Sequence, residues 1–278
     1  MSRLLFAGLL AIALVGGCAG APAATVPVQT TPGATTGQGD DLLGEPASPT
    51  TSAAPPAPAS ARRTDRPSAA PTPAPEPPPA EPFALNLYRD GDFVRQYTFE
   101  WCVGASLQMA LNMIRPEDEA SRARQRQLWE TARDRSNSPF GGASPLGWVA
   151  ALNDLGAGPY RLISVPTLDK ALLVGGQAIA ETGKPVGLVM WRGRHAWVMS
   201  GFTSIGDPRI HPDAEITGVH VLDPLYPHGS RRWGPSPTPN ALLTPATLGE
   251  QFVARDGGVV DLGVPPGYLL VLPVAVGA

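Results

Sequence analysis

The chain has 278 residues, 33 prolines and a formal net charge of −3, and lysine occurs only at Lys170 and Lys184. No basic cluster offers the field that a phosphate backbone requires, which excludes nucleic acid as a partner. The longest apolar run, residues 4–15, is too short for an ordinary membrane-spanning helix.

That run reads as the apolar part of an export signal, with Arg3 as its positive flank. It runs into Val15-Gly16-Gly17-Cys18, which resembles a bacterial lipobox, so residues 1–18 are expected to be a signal peptide with Cys18 as the lipidated residue. Two acyl chains hold a protein on a membrane stably, so the expected location is extracytoplasmic, with the chain tied to the bacterial membrane as a lipoprotein. Ordinary cleavage within residues 19–24 is the alternative. Residues 19–82 are rich in Pro, Ala, Thr and Ser and are expected to form a disordered, extended spacer. The first 82 residues hold 16 of the prolines, whereas all six tryptophans and all five tyrosines lie beyond them. Residues 83–278 are long enough for one domain with a proper core.

Within that domain, Val103, Leu107, Ala110, Leu111 and Ile114 share one face of a helix that begins at Cys102. A second helix is expected to open at Pro116 and to cover residues 117–135, anchored by Leu128 and Trp129. After a glycine-rich loop at 137–143, Ser144 and Pro145 read as N-cap and first residue of a third helix, with Trp148, Ala151, Leu152 and Leu155 on one side and Gly156 at its end. Residues 167–182 read as a fourth helix, stopped by Gly183. The pattern then changes to strands at 185–191 and 195–202, joined by a turn at Gly193-Arg194, followed by strands at 218–223 and 268–272. Thr244-Pro245 opens a short helix reaching Val253. Helices first and an antiparallel sheet afterwards predict an α+β domain.

Cys102 is the one cysteine of that domain, so it has no partner there for a disulfide. In an oxidising compartment an unpaired cysteine points to a reactive role or an intermolecular bond. A start-of-helix position favours the thiolate, because unpaired N–H groups and partial positive charge gather there. A free thiol titrating at about 8.5 is little ionised at neutral pH, and an imidazolium neighbour raises that fraction. His195 would hold the proton and return it to a leaving amine, and Asp223 would orient the ring. Gln96, six residues before Cys102, and the Cys102 backbone N–H would stabilise the oxyanion. Each residue also has an inert reading: Cys102 as a small core hydrophobe, His195 as a strand histidine, Asp223 before Pro224 as a turn, and Gln96 as a surface glutamine. His220, Asp223 and His228 match no standard zinc spacing, so no metal site is assigned. Trp191 and Trp197 read as core or cleft walls.

Four segments carry a family resemblance: Gln96 with Cys102; Cys102-Val103-Gly104-Ala105-Ser106-Leu107; Gly183-Lys184-Pro185-Val186 with Gly193-Arg194-His195-Ala196-Trp197-Val198; and Val221-Leu222-Asp223-Pro224. Together they resemble the bacterial peptidase C39-like family, within the papain-like cysteine peptidases, over most of residues 90–272. The resemblance implies a papain-like fold with helices packed on an antiparallel sheet. It also implies catalytic Cys102, His195 and Asp223, and amide-bond hydrolysis with no metal or organic cofactor. The expected substrate is a peptide or the peptide stem of the cell wall, acted on by a monomer. Trp101 and Val103-Gly104-Ala105 depart from the family pattern, and the His195–Asp223 loop is longer than usual. A silent binding module and an acyltransferase using the same thiol are the alternative functions.

Overall fold

The computed structural model describes residues 78–115, 117–139, 141–257 and 263–275. Strand β1 (Pro82–Asn86) precedes three helices, α1 (Cys102–Ile114), α2 (Arg122–Asp134) and α3 (Pro145–Asp154). There follow β2 (Tyr160–Val165), α4 (Leu168–Thr182), β3 (Val186–Met190), β4 (His195–Ile205), β5 (Glu215–Leu222), β6 (Ala241–Leu243), α5 (Pro245–Gly249) and β7 (Tyr268–Pro273). The strands form one antiparallel sheet in the order β2-β7-β3-β4-β5-β6, with β1 paired to β4. The class is α+β, as expected. The order is not helices first, because β1 comes before them and β2 stands between α3 and α4.

Strand β4 organises the sheet. It pairs with β3 over His195–Met199 and with β1 over Gly201–Ile205, while β5 runs antiparallel to it from Val198 to Ile205. Alternate residues of the central strands enter two separate cores. Val189, Ala196, Val198 and Val271 pack with α1, α2 and α3, whereas Leu188, Met190, Trp197, Met199 and Leu270 pack with α4 and α5. A sheet covered on both faces explains why β3 and the first eight residues of β4 are buried without alternation.

Helix α1 is buried on nearly every side, Val103 through Asn112 without a break. It is therefore an internal helix, not a surface amphipathic one. Gly104 makes this possible, since a Cβ there would stand 2.8 Å from Trp129 Cβ and 2.9 Å from the Gln125 carbonyl oxygen of α2. Gly104→Ala is expected to lower stability by about 1–3 kcal/mol, read as a lower melting temperature. The tight α1–α2 packing also accounts for Trp101, whose ring stacks on Trp129 at 5.8 Å between centroids.

Local signals placed the other helix starts well. Ser144 Oγ accepts from Gly147 N at 3.1 Å, Thr167 caps α4, and Gly183 ends α4 at φ +63. The second helix, however, starts at Arg122 and not at 117. Asn112 grips Glu119 through both its backbone N–H (3.2 Å) and its carbonyl (3.1 Å), and Ser121 then caps the helix by accepting from Arg124 N. The short helix after Thr244 ends at Gly249, before Val253, and β5 begins at Glu215, before the expected 218. The leader, Cys18, the linker up to residue 77, and Pro116 lie outside the described residues. Among the described residues no helix is long and apolar enough to cross a membrane.

Candidate active site

Antiparallel pairing brings the start of β4 beside the end of β5, with Val198 opposite Leu222. His195 opens β4 and Asp223 directly follows β5, so the two side chains meet at one end of the sheet. His195 Nε2 lies 2.7 Å from Asp223 Oδ1, with both side chains almost wholly buried. A buried carboxylate needs donors to offset lost hydration. Asp223 has three: the ring, the Leu225 backbone N–H on Oδ1 at 2.9 Å, and the Ser236 hydroxyl on Oδ2. The Tyr226 N–H donates to the Asp223 carbonyl, closing the turn through Pro224.

Trp191 lies flat against the His195 ring, 4.1 Å between centroids and 22° between planes. Its own position is set by Gln251, which accepts from Trp191 Nε1 at 3.1 Å and donates to the Pro235 carbonyl at 3.0 Å. The indole covers one ring face, and the Asp223 bond fixes the ring edge, so the imidazole has one orientation.

Cys102 is the first residue of α1. The helix is preceded by Trp101, which gives no side-chain cap, and it has no acidic residue in its first turn. Helices α2, α3, α4 and α5 are all capped by a Ser or Thr side chain. The start of α1 thus keeps open N–H groups and partial positive charge at the thiol. The thiol is partly exposed, lines the same cleft as the His195 ring, and is close enough to it to raise the ring's pKa. With Nε2 committed to Asp223, Nδ1 is the nitrogen left to face it. Burial alone would lower the His195 pKa, but hydrogen bonds with Asp223 and Cys102, and the negative charge of both, outweigh burial and raise it to about 9.

Cys102 and His195 open onto a cleft of about 550 Å³, bordered by the start of α1, the 142–145 segment and the β3–β4 turn. Its floor includes Trp148 and Val189, and Phe99 stands at its edge, 89 % exposed.

Cys102, His195 and Asp223 therefore come together as expected. Gln96 does not line this cleft; it lines a neighbouring hollow with Tyr226 and His228, and Phe99 borders both. Its Nε2 donates to the Thr98 carbonyl at 2.9 Å, and its buried Oε1 has no partner among the described residues. The reason lies in α2, where the Gln125 amide holds both flanking residues, accepting from Tyr97 N and donating to the Arg95 carbonyl, while Gln96 N is tied to the Pro224 carbonyl. His220 contacts the Asn240 carbonyl and does not line the cleft. Among the described residues no three His, Cys, Asp or Glu side chains gather as a metal site. Sequence reasoning did not find Ser236, which sits between two prolines with nothing local to mark it, nor the stacking role of Trp191.

Comparison with protein-family models, with curated proteins and with solved structures finds no match.

Proposed function

We propose that this domain is a papain-like cysteine peptidase or amidase of the peptidase C39-like kind, exported and held at the membrane through Cys18. One observation carries the reading: the His195 ring, held by Asp223 on one edge, shares an open cleft with Cys102 at the uncapped start of α1.

In this mechanism the Cys102 thiol gives its proton to His195 Nδ1, and the thiolate attacks the carbonyl carbon of an amide. The oxyanion forms beside the open first-turn N–H groups of α1, chief among them that of Cys102. Gln96 joins them only by turning away from the Thr98 carbonyl. The imidazolium then protonates the leaving amine as the C–N bond breaks, leaving an acyl thioester on Cys102. Water, deprotonated by His195, attacks the thioester and releases the acid and the thiol. Asp223 keeps its proton-accepting oxygen on Nε2 throughout, so the ring cannot turn over between the two half-reactions.

The test is the reactivity of the thiol. Iodoacetamide is expected to alkylate Cys102 near neutral pH at least about tenfold faster than free cysteine, and Cys102→Ala to lose the label. Labelling at the rate of free cysteine would falsify the assignment. Peptide-library profiling of the labelling-competent protein then identifies the bond cleaved.

A further inference from the structure

The cleft holds charges that the hydrolytic steps do not use. Arg194 and Arg255 line it together with Cys102 and His195, and among the described residues Glu100 is the one acidic residue of that lining. Arg255 is committed in part, because its Nη1 donates to the Val264 carbonyl at 2.6 Å. Arg194 is exposed and makes no side-chain hydrogen bond or ion pair among the described residues. Its neighbour Arg192, outside the cleft lining, is paired with Asp256 at 2.6 Å.

The Arg194 backbone is nevertheless held firmly. Its N–H and that of Gly193 both donate to the Met190 carbonyl, at 2.9 and 3.0 Å, closing a turn through Trp191, Arg192 and Gly193 at φ 54, 58 and 93. Left-handed backbone costs roughly 1–2 kcal/mol at each of the two non-glycine residues. An Asn-Gly hairpin would avoid that strain. The strained turn brings the Trp191 ring against His195 and Arg194 to the cleft, immediately before the base.

A guanidinium fork without a protein partner matches a carboxylate in two-point geometry, and a cleft between low-dielectric walls focuses its field. We infer that Arg194 selects substrates that carry a carboxylate close to the scissile amide, with Arg255 adding to the positive field. This inference rests on Cys102 being the nucleophile. The carboxylate is either an acidic side chain or the free carboxyl terminus of a peptide.

The decisive experiment compares alkylation of Cys102 by iodoacetate and by iodoacetamide, read by mass spectrometry on the peptide containing Cys102. The ratio of the two rate constants cancels changes in thiol reactivity and leaves the preference for a negative charge. Arg194→Gln is expected to lower that ratio roughly threefold and Arg194→Glu to lower it further, while Arg192→Gln leaves it in place. Added salt should narrow the difference. A ratio unmoved in both Arg194 variants overturns the inference and leaves the nucleophile standing if iodoacetamide still reacts fast. Reaction of wild-type Cys102 with both reagents no faster than free cysteine sinks the nucleophile, and the inference with it. Three short peptides distinguish the carboxylate sources: one with an internal glutamate and an amidated end, one with a free carboxyl terminus and no glutamate, and one with neither. The carboxylate whose protection of Cys102 is lost in Arg194→Gln is the one recognised, and protection no better than that of the uncharged peptide by either of the first two overturns the proposal.

Discussion

Replacing His195 with glutamine is expected to slow alkylation of Cys102 at pH 6 by roughly 10- to 100-fold and peptide hydrolysis by about 10²–10⁴-fold. At pH 6 the wild-type ring carries its proton, because its pKa is raised to about 9. The imidazolium is then the main charge favouring a thiolate. What remains without it is the start of α1, and a helix terminus contributes only about 0.3–1 kcal/mol, less than tenfold in thiolate population. Glutamine is the informative variant, since its amide nitrogen reaches the position of ring Nε2 and still donates to Asp223. Alanine would leave that buried carboxylate short of a donor and cost stability as well. Alkylation at the wild-type rate in His195→Gln would remove His195 from the mechanism.

The second large effect is at Asp223, where the two obvious substitutions are expected to differ. In Asp223→Asn the carboxamide oxygen is pinned at the Oδ1 position, because both the ring and the Leu225 N–H donate there. Its NH2 group then meets the Ser236 hydroxyl, which can reverse from donor to acceptor. Geometry survives and charge is lost, so a charge-assisted hydrogen bond becomes a neutral one and hydrolysis should fall about tenfold. Asp223→Ala leaves a buried ring nitrogen unpaired and the ring free to turn, and the expected loss is about 100-fold or more. The His195 titration followed by NMR gives an independent reading. In the wild type the ring is protonated below about pH 9 and neutral above it. Removing the Asp223 charge leaves the downward pull of burial less opposed, so the ring should lose its proton at lower pH in both variants. Cys102→Ala should move the titration in the same direction, for the same reason. A titration unchanged in Asp223→Asn would show that Asp223 does not set the state of the ring.

Much of the site is legible in the amino-acid sequence, and the parts that are not have a physical cause. Cys102, His195 and Asp223 stand out because each is a chemically unusual residue at an identifiable place: an unpaired thiol at a helix start, a histidine opening an apolar strand, and an aspartate ending one. The helix starts at Ser144 and Thr167 and the stop at Gly183 are equally readable, since caps and left-handed glycines act within three or four residues of chain. The beginning of α2 is not, because Asn112 holds Glu119 from a different helix. Strands β1, β2 and β6 are absent from the sequence reading, β1 and β6 because they are short, and β2 although Tyr160, Ile163 and Val165 favour a strand. Residues 82–86 have only Phe83 and Leu85 turned inward, and they become a strand by pairing with residues 201–205. Gln96 shows the same limit at the site, since it lies six residues before Cys102 while Gln125 and Thr98 decide where its amide points.

The sequence by itself determined the chemical identities at the site, the presence of the helices, the caps of α3, α4 and α5, and the α+β class, because these depend on residue types and on neighbours a few positions apart. Only the tertiary structure decided which groups meet. The register of β4 against β5 put His195 beside Asp223, and Ser236 completed that carboxylate's shell. The strained β3–β4 turn laid Trp191 on the ring and left Arg194 with no side-chain partner among the described residues. The His195–Asp223 and Asp223–Ser236 contacts join residues 28 and 13 positions apart, and they persist because the packing of two cores against one sheet repays the entropy of bringing them together.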